Sequence, residues 1–176
     1  MPTNKQKRFQ ALYEQAHEPF ARFCLARVYG DMDYRDLMNE TLLVAWEKLD
    51  TLRSEAAFSS FLCGIAIRLL AKNKRKRKEL KVEDQPQLVE HPSDHASDRN
   101  ADVYLLYQAL AKLPDAQREC LILFEINGFP IREIAALQQA SESAVKKRLE
   151  RGRQGLYQLL REAPAATTKK KELSHG

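Results

Sequence analysis

Apolar residues recur along this chain at the helical period of 3.6 rather than at the two-residue period of strands. Phe9, Leu12, Tyr13, Ala16, Phe20, Phe23 and Cys24 form the first such series, and Pro19 within it predicts a break or kink. A second helix is expected from Asp33, as N-cap, to about Leu49. Its inward set is Leu37, Thr41, Val44 and nearby leucines, which leaves Asp36, Asn39, Glu40 and Glu47 outward. Trp46, near its end, suits either a core or an interface. A polar connector, Asp50 to Ala57, leads into a third helix with Phe58, Phe61, Leu62, Ile65, Ala66 and Leu69 on one face. Beyond about Leu70 charge surrounds that helix, so it is expected to leave the body of its domain there. Between Arg68 and Lys81 stand eight Lys or Arg residues against one acid, Glu79.

The pattern then changes sign. Val82 to Asp102 holds six acids and one base, Arg99, with Pro86 and Pro92 and little that could be buried. It reads as a flexible acidic linker at 82–101, able to span about 65 Å when extended. Past it, Val103, Leu106, Leu110 and Leu113 predict a short helix ended by Pro114. Asp115 opens another with Cys120, Leu121 and Phe124 inward, and Asn127-Gly128 supplies a stop. Pro130 fits the first turn of the next helix.

From Phe129 to Leu160 the pattern is short helix, tight turn, longer basic helix, the arrangement of a helix-turn-helix. Ser141 is placed to cap the longer helix, with Glu142 at its positive end. Val145, Leu149, Gly152, Leu156, Leu159 and Leu160 make its inward stripe. The outward face and its flanks carry Ser143, Lys146, Lys147, Arg148, Glu150, Arg151, Arg153 and Gln154. Side chains early in such a helix reach base edges, which points to Ser143, Ala144 and Lys147; Arg148, Arg151 and Arg153 are expected on phosphates. A solvated helix with its lysines in water is the competing reading. The preceding helix, with Ala135 at the close-packing position, the turn and the cap weigh against it.

Composition narrows the classes further. A formal charge of +5 and a pI near 9.1 permit a polyanionic partner. Cys24, Cys63 and Cys120 are odd in number and far apart, which argues for core thiols in a reducing cytoplasm rather than disulfides. No apolar run approaches a membrane span of about 18 residues, and the N-terminus lacks a signal core. His91 and His95 lie four apart but bring no third ligand, so no metal site is expected. The tail at 163–176 reads as disordered.

Four stretches in order carry a resemblance. They are DYRDLMNETLLVAWEKLD from Asp33, FSSFLCGIAIRLLAKNKRKRK from Phe58, LPDAQRECLILFEINGFPIREIA from Leu113, and SESAVKKRLERGRQGL from Ser141. Together, over roughly residues 9–80 and 101–160, they resemble regions 2 and 4 of the bacterial sigma factors of the extracytoplasmic-function group. The resemblance implies an all-α chain of two small helical domains: 1–81, which binds core RNA polymerase and the −10 element, and 102–162, whose helix-turn-helix binds the −35 element. It places Asp36, Asn39 and Glu40 on the polymerase-docking helix and Asp50 to Ala57 on the loop that captures a flipped base. Arg68, Lys72, Asn73 and Arg75 fall along the −10 region. Ser143, Ala144, Lys146, Lys147, Arg148 and Arg151 fall on the −35 reading helix. An anti-sigma protein is a further implied partner; no cofactor, small-molecule substrate or catalytic residue is implied.

Three sites depart from the family pattern. Gln138-Gln139-Ala140 stands where the turn usually reads Leu-Gly and an apolar residue, so Gln139 must take that glycine's backbone shape; a positive φ there is uncommon for Gln. Ala144 replaces a common Thr, and Ile67-Arg68 a frequent Arg-Asn pair. The alternative function is a free-standing helix-turn-helix regulator that never joins the polymerase. The acidic helix followed by a basic one separates the two readings, because such a regulator has no need of that pairing.

Overall fold

The computed structural model of the chain describes residues 1–80 and 98–163; most of the stretch read as linker and nearly all of the tail fall outside them. Among the described residues the regular structure is all helical. Helix α1 spans Asn4–Val28, α2 Tyr34–Glu47, α3 Phe58–Glu79, α4 Asp98–Ala111, α5 Asp115–Leu121, α6 Ile131–Leu137 and α7 Glu142–Glu162. Helix α4 thus begins inside the stretch read as linker.

Thr3 starts α1 with a reciprocal capping box to Gln6. Pro19 does not break this helix, contrary to expectation. An interior proline costs about 3 kcal/mol. Burial of Phe20 and Phe23, at 2% and 0% exposure, offsets it at about 1.5–3 kcal/mol each. The Pro19 carbonyl accepts a 3.0 Å bond from Asn127 Nδ2.

Asp33 caps α2 as expected, its carboxylate accepting from the backbone N–H of Arg35. Leu37, Met38, Thr41 and Ala45 point inward, but Leu43 does not: it is 68% exposed on the acidic face. The connector to α3 forms two short 3-10 turns, Leu49–Thr51 and Glu55–Ala57, tied to α1 by Lys5–Asp50 and Arg8–Glu55. Trp46 is half-buried, edge-on to Phe9 and beneath Lys5.

Five consecutive residues of α3, Leu62 to Ala66, are buried. A helix buried all round needs a cover on each side. Helices α1 and α2 supply one side and α6, from the second half of the chain, the other. A Cβ at Gly64 would lie 3.3 Å from Leu137 Cδ2. Past Leu70, α3 is largely exposed to its end at Glu79, as its charge predicts.

In the second half Tyr107, Ala109, Leu110 and Leu113 are buried while Val103 is 43% exposed, so the inward face of α4 is rotated from the expected one. Tyr107 packs on Tyr29 of α1, ring centres 5.7 Å apart. After α5 the chain widens into a π turn, Ile122–Ile126, and stops at Gly128 with φ +71. Buried residues of both halves form one contiguous core.

Candidate nucleic-acid interface

Helices α6 and α7 with the turn between them form the helix-turn-helix. Ile134 and Ala135 bury the inner face of α6. Its end is a Schellman motif: Ala140 N–H bonds the Ala135 carbonyl at 2.9 Å and Gln139 N–H the Ala136 carbonyl at 3.3 Å. That motif needs a left-handed residue at its penultimate position, and Gln139 has φ +50. The expectation of a glycine-like backbone there holds. Ser141 then caps α7 by accepting from the backbone N–H of Ala144.

Val145, Leu149 and Gly152 seat α7 on the domain; Leu156 and Leu159 are half-buried. Leu160, expected in the same stripe, is 41% exposed because α7 outruns the elements beneath it. Ser143, Lys146, Lys147 and Arg151 are exposed and Ala144 and Arg148 half-buried. Two arginines expected on phosphates are engaged within the protein. Arg148 Nη1 donates to Gln138 Oε1 at 2.9 Å. Arg153 donates to Glu125 Oε1 at 2.9 and 2.7 Å and lies over the Phe124 ring.

On α3, Arg68, Lys72 and Arg75 are exposed and Asn73 half-buried. On α2, Asp36, Asn39 and Glu40 are exposed as expected. Leu43 completes that face, one turn beyond Asn39 and Glu40; the general rule that helix leucines face inward hides it in the sequence. The spacing 36, 40, 43, 47 carried the signal.

Sequence reasoning also missed the polar seam between the halves. Arg118 is 1% exposed. Its Nε and Nη2 donate to the Ala26 carbonyl at 3.0 and 2.7 Å, Nη2 also to the Tyr29 carbonyl at 3.2 Å, and Nη1 to Asp31 Oδ2 at 3.2 Å. It therefore caps the C-terminus of α1, where carbonyls lack helical partners and the dipole favours a cation. Burial, followed by the Arg27 charge, lowers its pKa to about 10 despite Asp31. Beside it Arg27 Nε meets Glu119 Oε2 at 3.2 Å, and Lys74 Nζ meets Asp115 Oδ2 at 2.7 Å. Three charges on α5 thus answer charges on α1, α3 and the loop after α1.

Among the described residues no cluster of three His, Cys, Asp or Glu side chains could hold a metal, and no helix is long and apolar enough to cross a membrane.

The helix-turn-helix, joined to a second module with separate acidic and basic helix faces, defines a two-module transcription factor. The Sigma-70 region 2 model matches residues 12–79 and the Sigma-70 region 4 model residues 104–156. The chain is 31% identical over 126 residues to the sigma factor EcfG of Rhodopseudomonas palustris, covering 71% of this chain and 70% of that one. It is 29% identical over 145 residues to BldN of Streptomyces coelicolor, covering 78% of this chain but only 54% of the longer relative. Among solved structures, the sigma factor RpoE of Bartonella quintana, in complex with the anti-sigma factor NepR, superposes with a TM-score of 0.76 at 25% identity, over 90% of this chain and 99% of that one. The chain belongs to the extracytoplasmic-function group of RNA polymerase sigma factors, which initiate transcription and are not enzymes.

Proposed function

We propose that this chain joins core RNA polymerase in the bacterial cytoplasm and directs it to promoters carrying −10 and −35 elements. Residues 1–81 meet the polymerase through Asp36, Asn39 and Glu40, and the −10 region through Arg68, Lys72, Asn73 and Arg75. Residues 102–162 meet the −35 element through Ser143, Ala144, Lys146, Lys147, Arg148 and Arg151, with 82–101 as the linker. What supports this reading most is the separation of charge on one chain: an exposed acidic helix face at α2, suited to a basic protein, beside two exposed basic helix faces suited to phosphates. Leu43, in the middle of the acidic face, adds apolar area of the kind that anchors a protein interface. As in the Bartonella relative, an anti-sigma protein is the expected second partner.

This reading has a geometric requirement. Elements named −10 and −35 lie about twenty-five base pairs apart, roughly 85 Å at 3.4 Å per pair. Helices α3 and α6 pack directly against each other, and packed helices lie about 8–10 Å apart. The two halves must therefore part for both elements to be read at once, with the widths of the halves themselves adding to what an extended linker can span.

The test is size-exclusion of the purified chain with core polymerase, followed by run-off transcription on a genomic promoter library. Co-elution and chain-dependent transcripts are expected, with co-elution weakened by Asn39→Ala combined with Glu40→Ala. Failure to co-elute at low salt would overturn the reading.

A further inference from the structure

Gln138, the first residue of the turn between α6 and α7, is held at both ends of its amide. Nε2 donates to the Ala116 carbonyl and to Glu119 Oε1, each at 3.1 Å, and Oε1 accepts from Arg148 Nη1 at 2.9 Å. Turning the amide over would set its N–H2 group against a guanidinium and its oxygen against a carbonyl and a carboxylate. The three partners thus fix which end is the acceptor. With the halves together, Glu119 is fixed in turn by the Arg27 Nε bond to its second oxygen; with the halves apart, Ala116 and Glu119, both on α5, still hold Gln138 within the second half. Four side chains, Arg27, Glu119, Gln138 and Arg148, run in unbroken contact from α1 to the second turn of α7.

We infer that Gln138 is a positioning residue for DNA recognition: anchored by Glu119, it holds Arg148 in place to meet one backbone phosphate. The inference rests on the promoter-binding reading above. An unrestrained arginine on a helix surface loses rotamer freedom when it binds, and that loss subtracts from affinity. Arg148 has already lost it. The bond to Gln138 uses one of the five guanidinium N–H groups, and others can meet a phosphate in the planar fork geometry that suits it. The phosphate contact in turn sets the register in which Ser143, Ala144 and Lys147 approach the bases. Gln138 acts through Arg148, so it contributes affinity without adding charge.

That last property gives the test. The full chain is combined with core polymerase, and its affinity for the strongest promoter recovered from the genomic library is measured at several salt concentrations. Arg148→Ala is expected to weaken binding about tenfold and to flatten the logarithmic salt slope by about 0.9, the value for one lost phosphate contact. Gln138→Ala and Gln138→Met, the second keeping the aliphatic stem, are each expected to weaken binding about threefold to tenfold with the slope unchanged. Combining either with Arg148→Ala should weaken binding no further than Arg148→Ala alone. Additive losses, or wild-type affinity in Gln138→Met, would overturn the positioning role. A wild-type chain that forms no promoter complex with core polymerase would overturn the promoter reading itself, and this inference with it.

Discussion

Arg27 Nε lies 3.2 Å from Glu119 Oε2 across the seam between the two halves, 92 residues apart in sequence, with both side chains 10% exposed. Removing one partner of such a buried pair costs about 3–5 kcal/mol when the other charge stays dry. Here the stranded charge has an escape: the halves can part and let water in. Arg27→Ala should therefore open the chain rather than unfold it. Nitroxide labels at Gln15→Cys and Glu150→Cys, on opposite halves, would report a longer and broader distance. The three native thiols are buried, and desolvation raises the pKa of each, Cys120 to about 11, so labelling should be confined to the introduced cysteines. Arg27→Met with Glu119→Gln, which strands no charge, should keep the short distance. An unchanged distance in Arg27→Ala would count against the pair as a closure contact.

The same seam should respond to acid. Burial alone would raise the Asp115 carboxyl, but the Lys74 hydrogen bond and the charges of Arg27, Lys74 and Arg118 together outweigh it and hold the pKa below 3.8. A carboxyl depressed in the closed form stabilises that form above its ordinary pKa and loses the contribution as pH falls through the depressed value. Closure through Asp115 is thus complete at pH 7 and fades below about pH 4. Other carboxylates titrate nearby, so the informative quantity is the difference from Lys74→Gln. That variant should be less closed at pH 7 and respond less steeply to acid; parallel curves would contradict the assignment.

Two glycines in α7 should behave differently when replaced by alanine. In a helix interior the change gains about 1 kcal/mol of propensity. At Gly155 the new Cβ would lie 2.9 Å from Leu113 Cδ2, the far end of a side chain that can swing. At Gly152 it would meet Leu121 Cδ1 at 3.0 Å, Leu121 Cγ at 3.1 Å and Gln117 Cβ at 3.5 Å. Overpacking a rigid site costs about 1–3 kcal/mol. Gly155→Ala should be within about 0.5 kcal/mol of wild type, and Gly152→Ala less stable than Gly155→Ala, by up to about 2 kcal/mol below wild type. Urea midpoints would check the order.

How much of this was legible beforehand depends on the range of the interaction. Caps and stops were readable at Asp33, Ser141 and Gly128, because each is a bond or backbone state within a few residues. The exposed positions of Asp36, Lys147 and Arg151 followed from helical periodicity alone. Pro19 misled because a local rule was outweighed by the packing of Phe20 and Phe23. Arg118 was invisible for the opposite reason: in sequence it is one arginine in a short charged helix, and its partners lie 87 to 92 residues away. Arg148 and Arg153 look alike on a helical wheel; only tertiary contact shows that Gln138 and Glu125 hold them.

Lys147 is the sharpest test of base reading. It is exposed in the second turn of α7, where recognition helices reach base edges. Lys147→Ala should cost about 1–3 kcal/mol at preferred promoters and relax selectivity among −35 sequences. A footprint across the library that weakened every promoter equally would move Lys147 to the phosphate-contacting set.

Gln139 carries the one positive φ among the described non-glycine residues, at +50. An L side chain in that region costs about 1–2 kcal/mol, and the Schellman bonds of Ala140 and Gln139 hold it there. Gln139 is exposed and its neighbour Gln138 makes the side-chain bonds, so removing the Gln139 side chain should disturb little packing. Against the relief stands the extra freedom a glycine has in the unfolded chain, about 0.5–1 kcal/mol. The balance predicts that Gln139→Gly stabilises the second half by about 0.5–1 kcal/mol. A β-branched replacement, Gln139→Val, should destabilise it, since branching at Cβ is least compatible with positive φ. Urea unfolding of the three chains side by side would check this. A Gln139→Gly chain no more stable than wild type would mean that the strain at Gln139 does not exceed the roughly 0.5–1 kcal/mol of glycine freedom set against it.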